Sequence, residues 1–434
     1  MGNRSGNSVA VVGGGAAGLS AAYHLRDVAD VTLFERDGRL GGHANTIEVT
    51  EGDRTVGVDT AFVVFNEGTY PRLTKFFAQL GVAVKEHTGG FNFFDVDTGV
   101  QFGTPELDLP RERVEAGYPQ SFVSIWEQAR RFHEQAPKDF VRRRADCSLG
   151  EYLAANGYTE DFKYSYILLM CSATWSIPPE LVWQMPASTL IAFFLSHDEG
   201  GLGGRKIDWK TVDGGSITYV RRVLEEIGGR RLLGTPVEGV REEDDHVAVR
   251  TAGGVDRFDQ VVIATHADQA LAMLEGPHPG RSYLEKVSYH DAKAVLHRDP
   301  SVLPMPRERW ASWNYGAVRR DGQREVFVVY YMNKIQELQA RHDYFVTLDS
   351  PIPIRNELIV EEIDYSHPVI NWDVHAMQRS IYDVHDQSRV KLCGSYFHSR
   401  RVGPDLIGSH EAAFCSGMEA AAAIKRHIEQ PVRV

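Results

Sequence analysis

Short apolar runs alternate with helical patterns along most of the chain. Val9-Ala10-Val11-Val12 is apolar throughout, which is typical of a parallel strand buried on both faces. A helical pattern follows through Leu19, Ala22 and Leu25, and Val31-Thr32-Leu33-Phe34 predicts a second strand. Together these elements predict a β-α-β unit at the start of the chain.

Three glycines connect the first strand to the helix in the pattern Gly13-x-Gly15-x-x-Gly18, with Ala16 and Ala17 between the last two. The first glycine permits a tight turn, the second lets backbone approach a diphosphate, and the third lets the helix pack closely on the strand. The second strand ends at Glu35, where an acidic residue accepts the ribose hydroxyls in dinucleotide-binding folds. The pattern predicts a nucleotide-binding unit, and an ordinary glycine-rich turn with a solvated Glu35 is the alternative.

A second pair of glycines, Gly41-Gly42, follows soon after and indicates a further loop close to the nucleotide. Arg36 and Arg39 precede this pair and His43 follows it. A helix is predicted over residues 70–80.

The later chain changes character several times. Residues 121–144 and 149–169 read as helices in a helix-rich region, whereas residues 289–365 are strand-rich. Val261-Val262-Ile263-Ala264 predicts another buried parallel strand, and residues 408–424 predict a final helix. We therefore expect a nucleotide-binding domain from residues 1–81, 207–286 and 386–434, and a substrate domain from residues 82–206 (helix-rich) and 287–385 (strand-rich).

Composition narrows the possible partners. The chain has 434 residues, 43% of them hydrophobic, and a net charge of −12. This balance argues against a nucleic-acid partner and supplies no broad basic face, because Arg142-Arg143-Arg144 is a local cluster that a solvated helix end explains. The longest apolar segment, residues 164–183, is interrupted by two prolines and is not expected to span a membrane.

The four cysteines are far apart and form no C-x-x-C pair, so neither a metal site nor a redox dithiol is predicted. A reducing compartment fits this spacing, and we expect a cytoplasmic location.

Motifs spread over nearly the whole chain resemble those of the flavin amine oxidase and phytoene desaturase superfamily. They are the first glycine pattern, the Glu35 strand, the Leu40-Gly41-Gly42 loop, the Thr235-Pro236-Val237 strand, and Gly394 with the helix that starts near Gly408. More closely, the chain resembles a bacterial family of amine oxidase-like NAD/FAD-binding proteins linked to cyclopropane or methyl-branched fatty acid synthases. The carrying residues are Phe65-Asn66-Glu67-Gly68-Thr69-Tyr70-Pro71, Trp175-Ser176, Asp213-Gly214-Gly215-Ser216, Trp310-Ala311-Ser312-Trp313-Asn314-Tyr315, Met332-Asn333 and His410-Glu411.

The resemblance implies an α/β fold. It consists of a GR2-type FAD-binding Rossmann domain, with a parallel sheet and a small antiparallel meander, and a mixed α+β substrate domain. The cofactor-binding residues that it implies are Gly13, Gly15, Ala16, Ala17, Gly18, Glu35, Arg36, Arg39, Gly41, Gly42, His43, Val237, Ala264, Gly394, Ser395, Ser409 and His410. It also implies a methyltransferase or fatty acid synthase-type partner.

Two departures from the amine oxidase pattern bear on the chemistry. The arginines that clamp the diphosphate in amine oxidases are matched here by Asp37 and His43, so Arg36 or Arg39 would substitute. An aromatic residue that helps to cage the amine is matched by Ser409, which counts against amine oxidation. Lys293 matches the lysine that holds a water near the flavin, with a surface lysine at a sheet edge as the alternative.

His410 and Glu411 lie where the chain should approach the flavin, and they are the remaining catalytic candidates. A histidine has the right ordinary pKa for proton transfer at neutral pH. In the alternative interpretation, His410 buttresses the final helix and Glu411 accepts hydrogen bonds from backbone N–H groups.

Aromatic and amide side chains of the substrate domain are candidates to line the substrate pocket. They are Trp175, Trp313, Asn314, Tyr315, Tyr331 and Asn333. Each aromatic residue could instead belong to the core, whereas the asparagines are favoured because a buried amide needs partners.

These observations and the resemblance favour an FAD-dependent oxidoreductase that desaturates, oxidises or isomerises a C–C or C–H unit of an apolar small molecule by hydride transfer to flavin N5. The substrate classes considered are a fatty acyl chain, an isoprenoid chain and a biosynthetic intermediate. The alternatives are a flavin amine oxidase and a non-catalytic FAD protein that serves a partner methyltransferase. An NAD-dependent enzyme is less favoured, because no second G-x-G-x-x-G pattern is present.

Overall fold

The structure is a computed structural model that describes residues 7–87, 90–99, 101–103, 109–175, 179–197, 208–377, 381–397 and 408–429. Its strands are β1 Asn7–Val12, β2 Ala29–Phe34, β3 Thr46–Glu51, β4 Arg54–Asp59, β5 Val64–Phe65, β6 Val84–His87, β7 Phe91–Asp95, β8 Gln101–Gly103, β9 Trp209–Val212, β10 Arg230–Leu232, β11 Val237–Glu242, β12 Val247–Thr251, β13 Gly254–Phe258, β14 Gln260–Ile263, β15 Leu274–Glu275, β16 Tyr289–His297, β17 Trp313–Arg320, β18 Gln323–Tyr331, β19 Phe345–Leu348, β20 Ile359–Pro368 and β21 Val390–Leu392.

The helices are α1 Ala16–Leu25, α2 Pro71–Gln79, α3 Arg111–Gly117, α4 Gln120–Val141, α5 Leu149–Ala155, α6 Glu160–Phe162, α7 Leu168–Trp175, α8 Pro179–Val182, α9 Ala187–His197, α10 Ile217–Glu226, α11 Ala267–Met273, α12 Arg281–Leu284, α13 Met332–Ile335, α14 Trp372–Met377 and α15 His410–Glu429. A π-helical turn spans Lys163–Ile167, and 3₁₀ turns span Pro300–Val302, Arg307–Arg309, Asn356–Leu358 and Ile381–Gln387.

A parallel five-stranded sheet has the order β10-β2-β1-β14-β21. Its central strand β1 pairs with β2 and β14, and Val9, Ala10 and Val11 are completely buried. This burial explains the uninterrupted apolar run, because a central parallel strand is covered on both faces.

Helices α1 and α15 pack against each other next to this sheet, and a glycine permits their close approach. A Cβ atom at Gly417 would lie 2.0 Å from the carbonyl oxygen of Ala17. The hydroxyl of Ser20 also donates to the carbonyl oxygen of Phe414 at 2.7 Å. Because each helix follows a parallel strand of the sheet, both begin near its carboxyl edge.

The remaining sheets are antiparallel or mixed. Strands β13-β12-β11-β15 form the small meander. Strands β20-β16-β19-β18-β17-β7-β8 form a seven-stranded sheet in which β17 and β7 pair in parallel. Strands β5, β9 and β6 form a three-stranded sheet, and β3 and β4 form a hairpin.

Helices α3 to α9 form the helix-rich unit. Phe132 of α4 packs against Phe162 of α6 and Phe194 of α9, with ring centroids 6.2 and 5.9 Å away. The prediction of one continuous helix over residues 149–169 is wrong. Gly157 takes a positive φ of 66° after α5, and Thr159 then caps a new helix by accepting from the N–H of Phe162.

A buried carboxylate joins three distant segments. Asp59 accepts hydrogen bonds from the hydroxyls of Thr46 and Ser216, at 2.5 and 2.7 Å, and from Nε2 of Gln336 at 2.9 Å. These bonds hold the hairpin, the start of α10 and α13 together. Strand β3 of the hairpin follows the second glycine loop in the chain, so these bonds also anchor the segment after that loop.

The architecture confirms the predicted fold class, an α/β chain with a parallel sheet, a small meander and a mixed α+β unit. The strands of the parallel sheet come from separated parts of the chain, and on this basis we propose the five-segment domain division given above. In the described parts of the chain, no helix is both long and apolar enough to cross a membrane.

Candidate active site

Two glycine loops pack against each other at the carboxyl edge of the parallel sheet. The first contains Gly13, Gly14 and Gly15, and the second contains Gly41 and Gly42. The N–H of Gly41 donates to the carbonyl oxygen of Gly14 at 2.8 Å, and a Cβ atom at Gly42 would lie 3.1 Å from Cα of Gly15. By contrast, the nearest atom to a Cβ at Gly15 would be 4.0 Å away. The loops therefore leave room for an anion to approach the backbone at Gly15.

Helix α1 begins directly behind this space. Gly15 is its N-cap residue and supplies no side-chain hydrogen bond, so the N–H groups at Ala16 and Ala17 are not capped by it. A Cβ atom at Gly18 would lie 1.9 Å from the carbonyl oxygen of Gly13, which explains the third glycine. An uncapped helix N-terminus beside a glycine loop is suited to bind a phosphate group.

Glu35 fixes the first glycine loop and lies beside the meander. Its carboxylate accepts from the N–H groups of Gly14 and Asp37, at 2.7 and 3.0 Å. Its backbone N–H donates to the carbonyl oxygen of Leu232, and its carbonyl accepts from the N–H of Thr235. These bonds bring the segment that leads into Val237 close to Glu35, and we propose that adenosine binds between the two.

The two predicted arginines lie on the solvent side of the second loop. Arg39 donates through both terminal nitrogens to the carbonyl oxygen of Gly42, at 3.0 and 3.1 Å. Arg36 lies 3.5 Å from the carboxylate of Asp37, and both side chains are exposed. Arg39 thus stabilises the loop that precedes His43.

His43 lies among aromatic rings from other parts of the chain. Its ring centroid is 4.9 Å from Tyr365, 5.3 Å from His367 and 6.2 Å from His266. Burial, then the neighbouring His367 and His266, lower the pKa of His43 well below its ordinary value. Ala264 lies on the other side of the glycine loop, and its N–H donates to the carbonyl oxygen of Val12 at 2.8 Å.

The segments around Gly394 and Ser409 meet at the start of α15. The N–H of Gly394 donates to the hydroxyl of Ser416 at 2.9 Å, and the N–H of Gly408 donates to the carbonyl oxygen of Ser395 at 2.8 Å. Ser409 accepts from the N–H of Ala412 at 3.0 Å and so caps the helix. The serine that replaces the amine-caging aromatic residue therefore has a structural use.

The ring of His410 contacts two aromatic residues, Tyr219 and Phe62. Nε2 lies 2.6 Å from the hydroxyl of Tyr219, and the ring stacks on Phe62 with centroids 3.9 Å apart. Burial lowers the pKa of His410 to about 3, so the imidazole is neutral at pH 7 and a weak base. This geometry favours a positioning role over proton transfer, because an effective general base has a pKa near the working pH.

Glu411 points to helix α2 instead. Its carboxylate oxygens accept from the N–H groups of Arg72 and Leu73, both at 2.9 Å, and Arg72 and Leu73 lie in the first turn of α2. A carboxylate in this position satisfies N–H groups that the helix cannot satisfy itself. We therefore propose a helix-capping role for Glu411 in place of a catalytic one.

Replacement of Glu411 by alanine is expected to lower the free energy of unfolding by about 2 kcal/mol, since one buried and one partly buried N–H group lose their acceptor. Urea unfolding followed by circular dichroism measures this. The control is Glu429→Ala, at the exposed end of the same helix, which should leave the midpoint unchanged. Equal stabilities of the two variants would contradict the capping role.

Lys293 does not join these residues. It lies on β16, an inner strand of the seven-stranded sheet, with a half-exposed side chain 3.8 Å from Glu362. It is four residues, about 13 Å, along the strand from Tyr289, whose ring stacks on His266. The predicted catalytic role is not supported by this position, and the sheet-edge alternative is also wrong because β16 is not an edge strand.

The side chains of Asn314 and Asn333, which were predicted to bind substrate, form hydrogen bonds with backbone groups. Asn314 donates to the carbonyl oxygens of Ala311 and Val329 and accepts from the N–H of Ala311. Asn333 donates to the carbonyl oxygen of His342 and accepts from the N–H of Tyr344. Both side chains hold backbone segments in place, so the expectation that they line a pocket is corrected.

Two of the predicted aromatic residues belong to the core. The hydroxyl of Tyr331 donates to Asp343 at 2.6 Å and its ring packs on Phe345. Tyr315 is buried in the main hydrophobic core beside Phe91. Trp175 ends helix α7, and its side chain lies outside the described residues.

Trp313 remains a good candidate to line the substrate pocket. Its half-buried ring lies 5.4 Å from His87 and 6.4 Å from Trp209, and we call these three residues the aromatic wall. His87 and Trp209 are paired across β6 and β9, and the same small sheet includes β5, close to Phe62. No local sequence pattern indicates a role for the further residues found here, because their partners are remote in the chain; they are His87, Trp209, Phe62, His266 and His367.

The chain belongs to the flavin-containing amine oxidoreductase family, whose model matches residues 16–297. It is 25% identical over 281 residues to the 15-cis-phytoene desaturase of Synechococcus elongatus, which covers 61% of this chain and 57% of that protein. A stretch of 50 residues is 54% identical to the carotenoid 3,4-desaturase of Haloarcula japonica, covering 11% of this chain and 10% of that protein. The chain thus aligns with little more than half of one curated relative and a tenth of the other.

Solved structures show the same fold. A triple mutant of putrescine oxidase superposes with a TM-score of 0.70 at 15% identity, covering 97% of this chain and 99% of that chain. The chain is thus a member of the flavin-containing amine oxidoreductase family and has the fold of a solved amine oxidase.

The residues present fit FAD. The backbone space at Gly15, the uncapped start of α1 and the carboxylate of Glu35 are the groups that a dinucleotide requires. Among the residues that the structure describes, no group of three or more histidine, cysteine, aspartate or glutamate side chains is arranged to hold a metal ion. The assignment of individual residues to parts of FAD is our proposal.

Proposed function

We propose that this FAD-dependent oxidoreductase removes or relocates hydrogen on a C–C unit of an apolar substrate, such as an isoprenoid or fatty acyl chain. The observation that carries the proposal is that the titratable groups at the start of α15 are either neutral or already engaged. There, the neutral ring of His410 stacks on Phe62, and the carboxylate of Glu411 points to α2.

A site for amine oxidation needs to attract a substrate that is cationic at neutral pH. Carboxylates or an aromatic cage provide that attraction. At the start of α15, the described carboxylate is Glu411, which is engaged by two backbone N–H groups, and the matching cage position is the capping residue Ser409. These contacts favour a neutral substrate.

The aromatic wall offers apolar surface for an extended substrate. His87 and Trp209 pair across the small sheet, whose strand β5 lies close to Phe62 in the chain, and the ring of Trp313 packs edge to face against both. Burial lowers the pKa of His87 to about 4, so this residue is neutral as well. The two curated relatives are named as desaturases of phytoene and of a carotenoid, which agrees with an extended apolar substrate.

The mechanism assigns a distinct task to each part of this chain. When bound, FAD supplies the acceptor for a hydride from the substrate. The glycine loops and Glu35 hold the cofactor, and Tyr219 fixes the ring of His410. The N–H groups at the start of α15 favour negative charge placed near them. Phe62 and the aromatic wall orient the apolar chain and exclude water.

Anaerobic mixing with three groups of compounds tests the proposal: isoprenoid polyenes, fatty acyl derivatives and primary amines. We expect loss of the flavin absorbance with a polyene or fatty acyl compound, and a product lighter by two hydrogens. A shifted double bond without net loss of hydrogen would select isomerisation within the same proposal. Reduction by amines alone would overturn it, and absence of any turnover would favour the non-catalytic alternative.

A pair of variants tests whether the substrate reacts next to Phe62. Phe62→Ala should slow flavin reduction by the apolar substrate while FAD remains bound, because it removes the ring that stacks on His410 and keeps the backbone hydrogen bond from Phe62 to His43 beside the second glycine loop. Phe327→Ala, in a separate core cluster, controls for loss of packing. A cytoplasmic location and a methyltransferase or fatty acid synthase-type partner remain predictions from the sequence and its resemblance.

A further inference from the structure

Three imidazole rings meet between the glycine loops and the seven-stranded sheet. We call His43, His266 and His367 the histidine cluster. The ring centroid of His43 lies 5.3 Å from that of His367 and 6.2 Å from that of His266. His43 follows the second glycine loop, His266 precedes α11 as its N-cap residue, and His367 lies on β20.

The cluster is attached to the anion-binding loops on two sides. His43 directly follows Gly42, whose Cβ position lies 3.1 Å from Cα of Gly15. His266 follows two residues after Ala264, whose carbonyl oxygen lies 2.8 Å from the Cβ position of Gly13. The backbone that would cradle a diphosphate is therefore continuous with the segments that carry two of the three histidines.

The side chains whose charges affect the pKa of His43 are themselves basic. His367, His266, His410 and Arg39 each lower its pKa, in addition to the larger effect of burial. The ring of Tyr365 packs at 4.9 Å, with its hydroxyl directed to Thr60 and Asn45. A pocket with these neighbours keeps His43 neutral until an anion enters.

The other two histidines have similar surroundings. Burial lowers the pKa of His266, and Arg36 lowers it further. Asp268 and Asp291 act in the opposite direction and raise this pKa. The ring of Tyr289 stacks on His266 at 4.5 Å, and Asp291 accepts from the hydroxyl of Ser366. Burial, followed by His266 and His290, lowers the pKa of His367 to about 4.

One atom of the cluster is unsatisfied. Nδ1 of His367 is buried and has no hydrogen-bond partner among the described residues. A buried polar atom without a partner is costly, and in a functional site it commonly marks the place of a ligand. This observation is independent of the glycine geometry, and the ring that carries the atom lies 5.3 Å from that of His43, which follows the second glycine loop.

We propose that the histidine cluster binds the negative charge of the FAD diphosphate and takes up protons when FAD binds. A negative charge within about 4–6 Å raises the pKa of an imidazole by roughly one to three units. Because β20 belongs to the seven-stranded sheet, the bound charge also links that sheet to the parallel sheet. The inference concerns the cofactor alone and does not depend on the identity of the substrate.

The direction of the pH dependence follows from linkage. Consider a group whose pKa is higher in the FAD complex than in the free protein. It strengthens FAD binding fully at pH values below its pKa in the free protein. That contribution is lost as the pH rises through the higher pKa. FAD should therefore bind more tightly at pH 5.5 than at pH 8.0, and each proton taken up changes the dissociation constant by up to about tenfold per pH unit.

The test measures FAD binding to the apoprotein by quenching of flavin fluorescence between pH 5.5 and 8.0. Calorimetry in two buffers of different ionisation enthalpy counts the protons. We expect a dissociation constant at least about tenfold larger at pH 8.0, with uptake of about one proton per FAD near pH 6.5. Equal dissociation constants at the two pH values, with no proton uptake, would overturn the proposal without any variant.

Variants then assign the protons. His43→Arg should bind FAD tightly at both pH values and lose most of the pH dependence, because its charge is permanent. His367→Asn should reduce proton uptake. His246→Asn, at a surface histidine paired with Asp245, should behave as the wild type. If His43→Arg and His367→Asn, shown to be folded by circular dichroism, kept the full pH dependence, the cluster would not be its source.

Discussion

The Glu35→Ala variant is expected to bind FAD about 100-fold more weakly than the wild type. In the wild type the Glu35 carboxylate accepts from the N–H groups of Gly14 and Asp37, and we propose that it also accepts from the ribose hydroxyls. Hydrogen bonds to a charged group contribute about 1.5–3 kcal/mol each. Loss of about 3 kcal/mol of binding free energy corresponds to a factor of about 100 in the dissociation constant.

Flavin fluorescence quenching at fixed pH measures this change. Glu48→Ala is the matched control, because Glu48 is an exposed acidic residue on β3 that pairs with Arg221. It should bind FAD as the wild type does. A dissociation constant for Glu35→Ala that matched this control would show that the first glycine loop does not hold the ribose in the proposed way.

The Gly417→Val variant is expected to lose at least about 3 kcal/mol of stability, or to fail to fold. A Cβ atom at this position would overlap the carbonyl oxygen of Ala17, and backbone atoms of two packed helices cannot yield without separation. Separation of α1 from α15 would displace both helix starts from the cofactor site, so FAD content should fall with stability.

Chemical unfolding and the flavin-to-protein ratio measure the two effects of Gly417→Val. Gly117→Ala is a suitable control, because Gly117 ends the short helix α3 and a Cβ atom there would meet no atom within 4 Å. The control should be neutral or slightly stabilising. A Gly417→Val protein with wild-type stability would show that the two helices do not cross as closely as described.

The sequence predicted the cofactor fold well because its signals are local. The buried strand β1, the three glycines and Glu35 lie within one β-α-β unit, and each has a fixed position relative to the others. The strand that ends at Ile263 and the final helix were also predicted. The final helix begins two residues later, because Gly408 takes a positive φ of 80° and Ser409 caps it.

The catalytic and substrate candidates were predicted less well because their roles depend on remote partners. Glu411 resembles a catalytic acid in the sequence, yet the backbone N–H that it accepts from at Leu73 lies 338 positions away. Asn314 needed partners as a buried amide, but the sequence does not reveal that they are backbone groups of neighbouring segments. The histidine cluster combines three parts of the chain and has no local pattern.

The visible absorption spectrum of the purified protein, with mass analysis of the cofactor released by heat, tests the central claim most directly. The account predicts the two absorption bands of oxidised flavin and a released cofactor with the mass of FAD, close to one per chain. A colourless protein that also failed to take up added FAD would contradict the assignment of an FAD-dependent oxidoreductase.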